Sequence, residues 1–185
     1  MDIIDTKILE TTNIIQSKFG KGVNETDHYV NRGNLYLVGA DGHKIYLDNN
    51  PDAQNPTYDQ LISFIKEDDT NHIKYDYNKF VCADFAERLH NNAEQNGIRT
   101  AYVDIEFEDR DDGHTLNGFQ TTDNGFVYID CTGGSENVDE YEVEKYDKIS
   151  YLEIGEMETS ESIHGISESE SWDSNGVVKS IDIYW

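Results

Sequence analysis

Apolar positions in the first half of the chain recur at helical spacing. Tyr58, Leu61, Ile62 and Ile65 follow Thr57, and Thr57 with Gln60 fits a capping box, so a helix is expected from Thr57 to near Asp69. A second helix is expected to start at Cys82. Phe85, Leu89 and Ala93 recur there at i, i+4, i+8, and Gly97 supplies the stop. Ahead of both, the pattern predicts a helix over Thr6–Lys18. Leu35–Val38 and Lys44–Leu47 flank Asp41-Gly42 as a hairpin. Asn49–Pro56 reads as a loop.

After Gly97 the period changes from helical to alternating. Ile98–Phe107 reads as a strand in which Val103, Ile105 and Phe107 alternate with Asp104 and Glu106, predicting one apolar and one wet face. Two strands follow, His114–Gln120 and Phe126–Cys131, with Asp123-Asn124-Gly125 between them as a turn. Lys148–Ile154 is a further strand candidate. Glu156–Ser171 is expected to be a mobile acidic loop, and Val177–Trp185 closes the chain as an alternating strand. Helices followed by a run of antiparallel strands predict an α+β fold with the N-terminal helices packed on one side of the sheet.

Composition narrows the functions open to such a fold. The chain has 185 residues, 38 acidic against 14 basic side chains, and a formal charge of −24. Phosphate binding needs a basic surface, so a nucleic-acid partner is not expected, nor is an anionic membrane. No apolar run reaches the roughly 18 residues of a transmembrane span. The N-terminus MDIIDTKILETTNII lacks a basic and an apolar signal region, so the protein is expected to be cytoplasmic, or exported after loss of a signal. Neither Cys82 nor Cys131 lies in a CxxC pair, and no histidine spacing fits a metal site. Asp48-x-Asn50-x-Asp52 begins like a calcium loop, but Ala53 replaces the required Gly and Asp59 the required Glu. No metal or cofactor is expected.

Three residues combine the types and placement that amide chemistry needs. Cys82 opens a helix, where the dipole and unpaired N–H groups favour thiolate and can receive an oxyanion. His114 begins a strand and can take the proton; Asp130, near the end of the next strand, can orient the histidine. A cysteine alone in such a place is more often an inert core residue. The ordered set of Cys, His and Asp points to catalysis.

The segments CADFAERLHNNAEQNGI, RTAYVDIEF, GHTLNGF and VYIDCTGG resemble the transglutaminase-like cysteine peptidase superfamily, in particular small prokaryotic members with a CxDFAxxLHNNAExxGIR helix. The resemblance covers roughly residues 80–134. It implies a papain-like α+β core with Cys82, His114 and Asp130 as the triad, acting on a peptide or protein substrate. It also implies one domain over 1–185: an N-terminal extension with a hairpin (1–56), a catalytic core (57–134), and an acidic loop with a closing strand (135–185). Members include peptidases, cross-linkers, deamidases and non-catalytic binding modules. Ala83 and Thr115-Leu116 stand where animal transglutaminases carry aromatics, so hydrolysis is expected ahead of cross-linking. Phe80, Phe119 or Trp172 could supply site aromatics, and Gln54, Gln60, Tyr75 or Asn78 the oxyanion-hole side chain.

Strand parity adds a geometric condition. His114 and Asp130 must share a sheet face, and in an antiparallel hairpin directly paired residues share one. A five-residue turn, Thr121–Gly125, pairs Gln120 with Phe126 and sets Asp130 opposite Leu116, diagonal to His114 at a Cα separation of about 7–8 Å. A four-residue turn would put the two side chains on opposite faces. Cys131 then points away from Asp130 into the core, unavailable to Cys82 for a disulfide. Asp84 is expected to cap the Cys82 helix, His90, Asn91 and Asn92 to pack against neighbouring loops, and Arg99 to pair with a carboxylate.

Overall fold

The computed structural model describes residues 28–132, 147–163 and 175–185. The expected helix over residues 6–18 lies outside them, as does Trp172. Thr57 caps helix α1 (Tyr58–Glu67): its hydroxyl accepts from the Gln60 N–H at 3.2 Å, and the Gln60 side chain accepts from the Thr57 N–H at 2.8 Å. Asp59 in the first turn and Lys66 in the last complement the helix dipole. Helix α2 (Cys82–Gln95) ends in a Schellman motif. Gly97, at φ +76°, donates to the Glu94 carbonyl at 2.9 Å, and Ile98 donates to that of Ala93 at 2.9 Å. Leu61 and Ile65 of α1 meet Phe85, Leu89 and Ala93 of α2, and this layer covers Phe119, Val127, Ile129 and Cys131 of the sheet.

The strands are β1 (Asn31–Arg32), β2 (Leu35–Tyr36), β3 (Ala101–Phe107), β4 (His114–Gln120), β5 (Phe126–Asp130), β6 (Lys148–Tyr151), β7 (Thr159–Ser162) and β8 (Val178–Tyr184). β1 and β2 form a small ribbon. The rest form one antiparallel sheet in the order β7-β6-β5-β4-β3-β8. The fold is therefore mixed α+β, with two α-helices among the described residues and a largely antiparallel sheet. No helix of the described residues is long and apolar enough to cross a membrane.

The sheet curls. The segment after β6 turns back and bonds the start of β8: Gly155 N–H to Val178 O at 2.8 Å, Val178 N–H to Glu156 O at 2.9 Å, and Glu158 N–H to Gly176 O at 3.0 Å. Inside this curl lies a second core of Val103, Ile105, Phe107, Leu116, Val178 and Ile181, on the sheet face opposite the helices.

Four expectations change. The strand expected from Ile98 begins at Ala101, because Ile98 completes the helix stop and bridges Gln54. The hairpin around Asp41-Gly42 forms but is short and irregular: Gly42 takes φ +84°, Val38 bridges Lys44, Gly39 N–H donates to His43 O at 2.9 Å and Ile45 N–H to Leu37 O at 3.0 Å, while Leu35–Tyr36 pairs with β1. Thr159–Ser162, placed in the acidic loop, forms β7 instead. The polar face of β3 is not wet. Asp104 is 4 % exposed, because the 28–47 segment and α2 cover that face, and Arg32 bonds its carboxylate through Nε at 3.1 Å. Burial pushes the Asp104 carboxyl above its ordinary range, with Arg32 opposing the rise.

Candidate functional site

The β4–β5 connection has the register that parity requires. Gln120 pairs with Phe126 and Asn117 with Ile129, the five-residue turn runs from Thr121 to Gly125, and Gly125 takes φ +73°. The Thr121 hydroxyl stabilises the turn, accepting from Asn124 N–H at 3.0 Å and donating to Gly125 O at 2.7 Å. Asp123 then caps α1 by accepting from Tyr58 N–H at 2.7 Å. His114 and Asp130 share a face as a result, and His114 Nε2 lies 2.8 Å from Asp130 Oδ2. Thr132 N–H donates to the other carboxylate oxygen at 2.9 Å.

The β4–β5 ladder ends at Asn117 and Ile129, leaving His114–Leu116 without a β5 partner. The first turn of α2 fills that gap. The half-buried Cys82 thiol interacts with the His114 ring and with both the side chain and the backbone of Thr115. Since Nε2 is held by Asp130, Nδ1 is the ring nitrogen left for sulfur. Burial raises the thiol, but the His114 hydrogen bond and charge and the Thr115 contacts together bring it below its ordinary value. Burial lowers His114, yet Asp130 and Cys82 overcome this and hold the imidazole well above its ordinary range. Burial opposes ionisation of Asp130 too, and His114 with Thr132 still brings that carboxyl down to about 2. The arrangement favours a thiolate–imidazolium pair with an ionised aspartate behind it.

Asp84 fixes the start of α2. Its Oδ2 accepts from Val81 N–H at 2.8 Å and from Ala40 N–H at 3.0 Å, so the expected cap also ties the 39–43 turn to the helix. Gly39 has no room for a side chain, since a Cβ would lie 2.2 Å from Asp84 Oδ1. His43 binds Glu87 at 2.7 Å and Asp41 at 2.5 Å, and is raised to about 9, chiefly by Glu87. Among the described residues the Cys82 N–H, at the first helical position, finds no acceptor. It is available to a developing oxyanion.

Of the oxyanion side-chain candidates, two are excluded. Gln54 donates to Asp52 O at 2.9 Å beside Ile98, at the far end of α2 from Cys82, about 20 Å along the helix. Gln60 is used in the α1 cap. Tyr75 lies parallel to Phe85 with ring centroids 6.3 Å apart, and Asn78 is in the exposed turn that leads into α2. Phe80 packs edge-on to Phe85 at 4.6 Å, and Phe119 is core.

Cys131 is buried, free, and 3.7 Å from Phe85 O, as strand parity requires. Asn91 and Asn92 do bind neighbouring loops: Asn91 accepts from Asp48 N–H at 2.8 Å, and Asn92 donates to Asp68 at 2.6 Å. His90 is instead fully buried and lowered to about 4, because burial disfavours its charge. Arg99 sits over the Trp185 ring, 4.9 Å from its centroid, and among the described residues it does not form the expected ion pair. Asn50 of the calcium-like stretch donates its backbone N–H to Glu94 at 3.0 Å. Among the described residues no group of His, Cys, Asp and Glu is arranged to hold a metal.

Sequence reasoning missed four residues at the site. Thr115 and Tyr102 lie under the first turn of α2. Arg110 in the β3–β4 loop adds positive charge toward Cys82 while bonded to Asp112 at 2.7 Å. Glu158 is buried, interacts electrostatically with His114 and Asp130, and accepts from Asn175 at 2.7 Å. Parity could have found Thr115, which follows His114 onto the helix-facing side of β4. Glu158 had no local signal. A groove of about 580 Å³ over β5 and β6 includes Tyr128, Tyr151, Glu153, Glu156 and Met157 in its lining; Cys82, His114 and Asp130 do not line it. Compared with protein-family models, curated proteins and solved structures, the chain matches none of them.

Proposed function

We propose that the protein is a cysteine-nucleophile enzyme that cleaves or transfers amide bonds, acting as a peptidase or amidase. The observation that carries this reading is the convergence of Cys82, His114 and Asp130, with the 2.8 Å His–Asp contact behind a thiol drawn below its ordinary value. Cys82 attacks the carbonyl carbon. His114 gives its proton to the leaving amine as the acyl-enzyme forms, then takes a proton from water for deacylation. The Cys82 N–H receives the oxyanion. The curled sheet with a helix N-terminus set against it supports a papain-like, transglutaminase-like core. Water is the expected acceptor, since it needs no second binding site; an amine acceptor would make the protein a cross-linker.

Iodoacetamide alkylation followed by peptide mapping tests the nucleophile. Cys82 should label at pH 6–7 much faster than a free thiol, while buried Cys131 stays unlabelled. A rate no higher than that of a free thiol would remove the basis of the proposal and leave a non-catalytic protein-binding module. Ammonia release from glutamine peptides and amine incorporation separate deamidation and cross-linking from hydrolysis.

The substrate is expected to be a neutral or basic peptide or protein. Tyr128 in the groove over β5 and β6 is two residues from Asp130 on the same sheet face, and Glu153 and Glu156 also line that groove. At low salt, Lys-rich peptides should turn over faster than Glu-rich ones, with the gap closing as salt is added. A preference for Glu-rich peptides would contradict this.

A further inference from the structure

Tyr102 and Asn117 are register partners, as are Asp104 and Thr115, so Tyr102 and Thr115 project from the same face of β3 and β4, toward α2. Tyr102 packs with Ala86 and Ala83 of that helix and is completely buried; Thr115 is 7 % exposed. Neither hydroxyl makes a hydrogen bond of full geometry among the described residues. The register sets the two on a cross-strand diagonal, and both interact electrostatically with Cys82. A buried hydroxyl without a partner costs stability, and these two stand on the sheet face that meets the first turns of α2. An acceptor that becomes anionic would satisfy them. No apolar packing requirement explains them, since valine and phenylalanine fill the same volumes without the oxygens.

We propose that Thr115 and Tyr102 form a hydroxyl relay under the first turn of α2 that holds the Cys82 thiolate in place. When the thiol proton passes from Sγ to His114 Nδ1, the Thr115 hydroxyl and backbone N–H donate to the sulfur, and the Tyr102 hydroxyl donates to Thr115 Oγ1. This holds the sulfur from the β4 side. It also offsets the burial that would otherwise favour the neutral thiol. The relay rests on the reading of Cys82 as the nucleophile. Both residues act through Cys82 and are positioning residues.

The charged and titratable groups that face the thiol are His114 from β4, Arg110 from the β3–β4 loop and Tyr102 from β3. Asp84 stands two residues on in α2, with its carboxylate turned to Val81 and Ala40. A change at Thr115 leaves His114, Arg110 and Asp84 in place and removes only the acceptor of Tyr102, which is itself part of the relay.

The test is the pH dependence of Cys82 ionisation, read by ultraviolet thiolate absorbance and by iodoacetamide rate, in full-length wild type and in Thr115→Val, Thr115→Ser and Tyr102→Phe. Thr115→Val should move the ionisation to higher pH and slow alkylation at pH 6 roughly tenfold, the scale of one hydrogen bond to a charged group. Thr115→Ser keeps the hydroxyl and should stay within about twofold of wild type. Tyr102→Phe should shift ionisation the same way by less, and adding it to Thr115→Val should change nothing further, since the relay is already cut. An unchanged titration in Thr115→Val overturns the proposal, as does a Thr115→Ser shift equal to that of Val. If wild-type Cys82 ionises like an ordinary thiol, the enzyme reading fails. An additional upward shift in Thr115→Val alone would still support the relay.

Discussion

Replacing Cys82 with alanine will abolish amide turnover, and replacing His114 with alanine will reduce kcat by about 10²–10⁴, the usual worth of a positioned acid–base group. Both variants should stay folded, because Cys82 is half-buried at a helix end and His114 at a strand end. The His114 variant separates the mechanism from simple damage. Without the imidazolium, burial dominates at Cys82 and the thiol moves up. Alkylation at pH 7 should then slow by about tenfold for each unit of upward movement. In wild type, activity should rise as the thiolate–imidazolium pair forms, and fall only when His114 loses its proton. Because Asp130 and Cys82 raise His114, that alkaline fall should come above the ordinary imidazole value. Steady-state pH profiles check this; an alkaline limb at or below that value would argue against the ion pair. An active Cys82→Ala enzyme would end the proposed mechanism.

Asp147→Asn will stabilise the protein at pH 8 and leave it nearly unchanged at pH 4. Asp147 is 3 % exposed and accepts from Asn71 Nδ2 at 3.0 Å. Burial, with the charges of Asp68 and Asp130 adding to it, raises its carboxyl from 3.8 to about 7. The folded state therefore holds this proton more tightly than the unfolded chain, and stability falls as pH rises between those two values. At pH 8 the cost has its full size, on the order of 4 kcal/mol as an upper bound. The asparagine keeps an oxygen for Asn71 and cannot ionise. Urea unfolding should therefore give a variant more stable than wild type by about 2–4 kcal/mol at pH 8. Identical pH dependence in the two proteins would show that Asp147 does not titrate as described. Asp130 has the opposite sign. Its carboxyl is lowered to about 2, so its ionisation supports the fold above the ordinary carboxylate range, and that support is lost as pH falls toward 2.

What could be read from the chain was local or periodic. The Thr57–Gln60 box, the stop at Gly97 and the starts of α2 and β4 depend on backbone groups within four or five residues, so nearby side chains decide them. The β4–β5 register was legible for a related reason. A period of two turns the demand that His114 meet Asp130 into a condition on turn length, and Gly125 was in place to meet it. The placement of Cys82, His114 and Asp130 on element ends was legible to the same extent.

Tertiary structure decided what alternation alone leaves open. Whether the polar side of β3 faces water depends on what lies over it, and the 28–47 segment with Arg32 buries Asp104 there. The closing of the sheet through residues 155–158 and 176–178 joins segments whose separation carries no sequence signal, and it brings Glu158 toward His114. Gln54 is removed from the site by its bridge to Ile98, although glutamine is a suitable residue type. Tyr102 and Thr115 reach Cys82 only because α2 crosses β3 and β4 at its first turn. Local preferences act over one or two turns of chain, whereas the surroundings of a thiol are set by everything that packs around it.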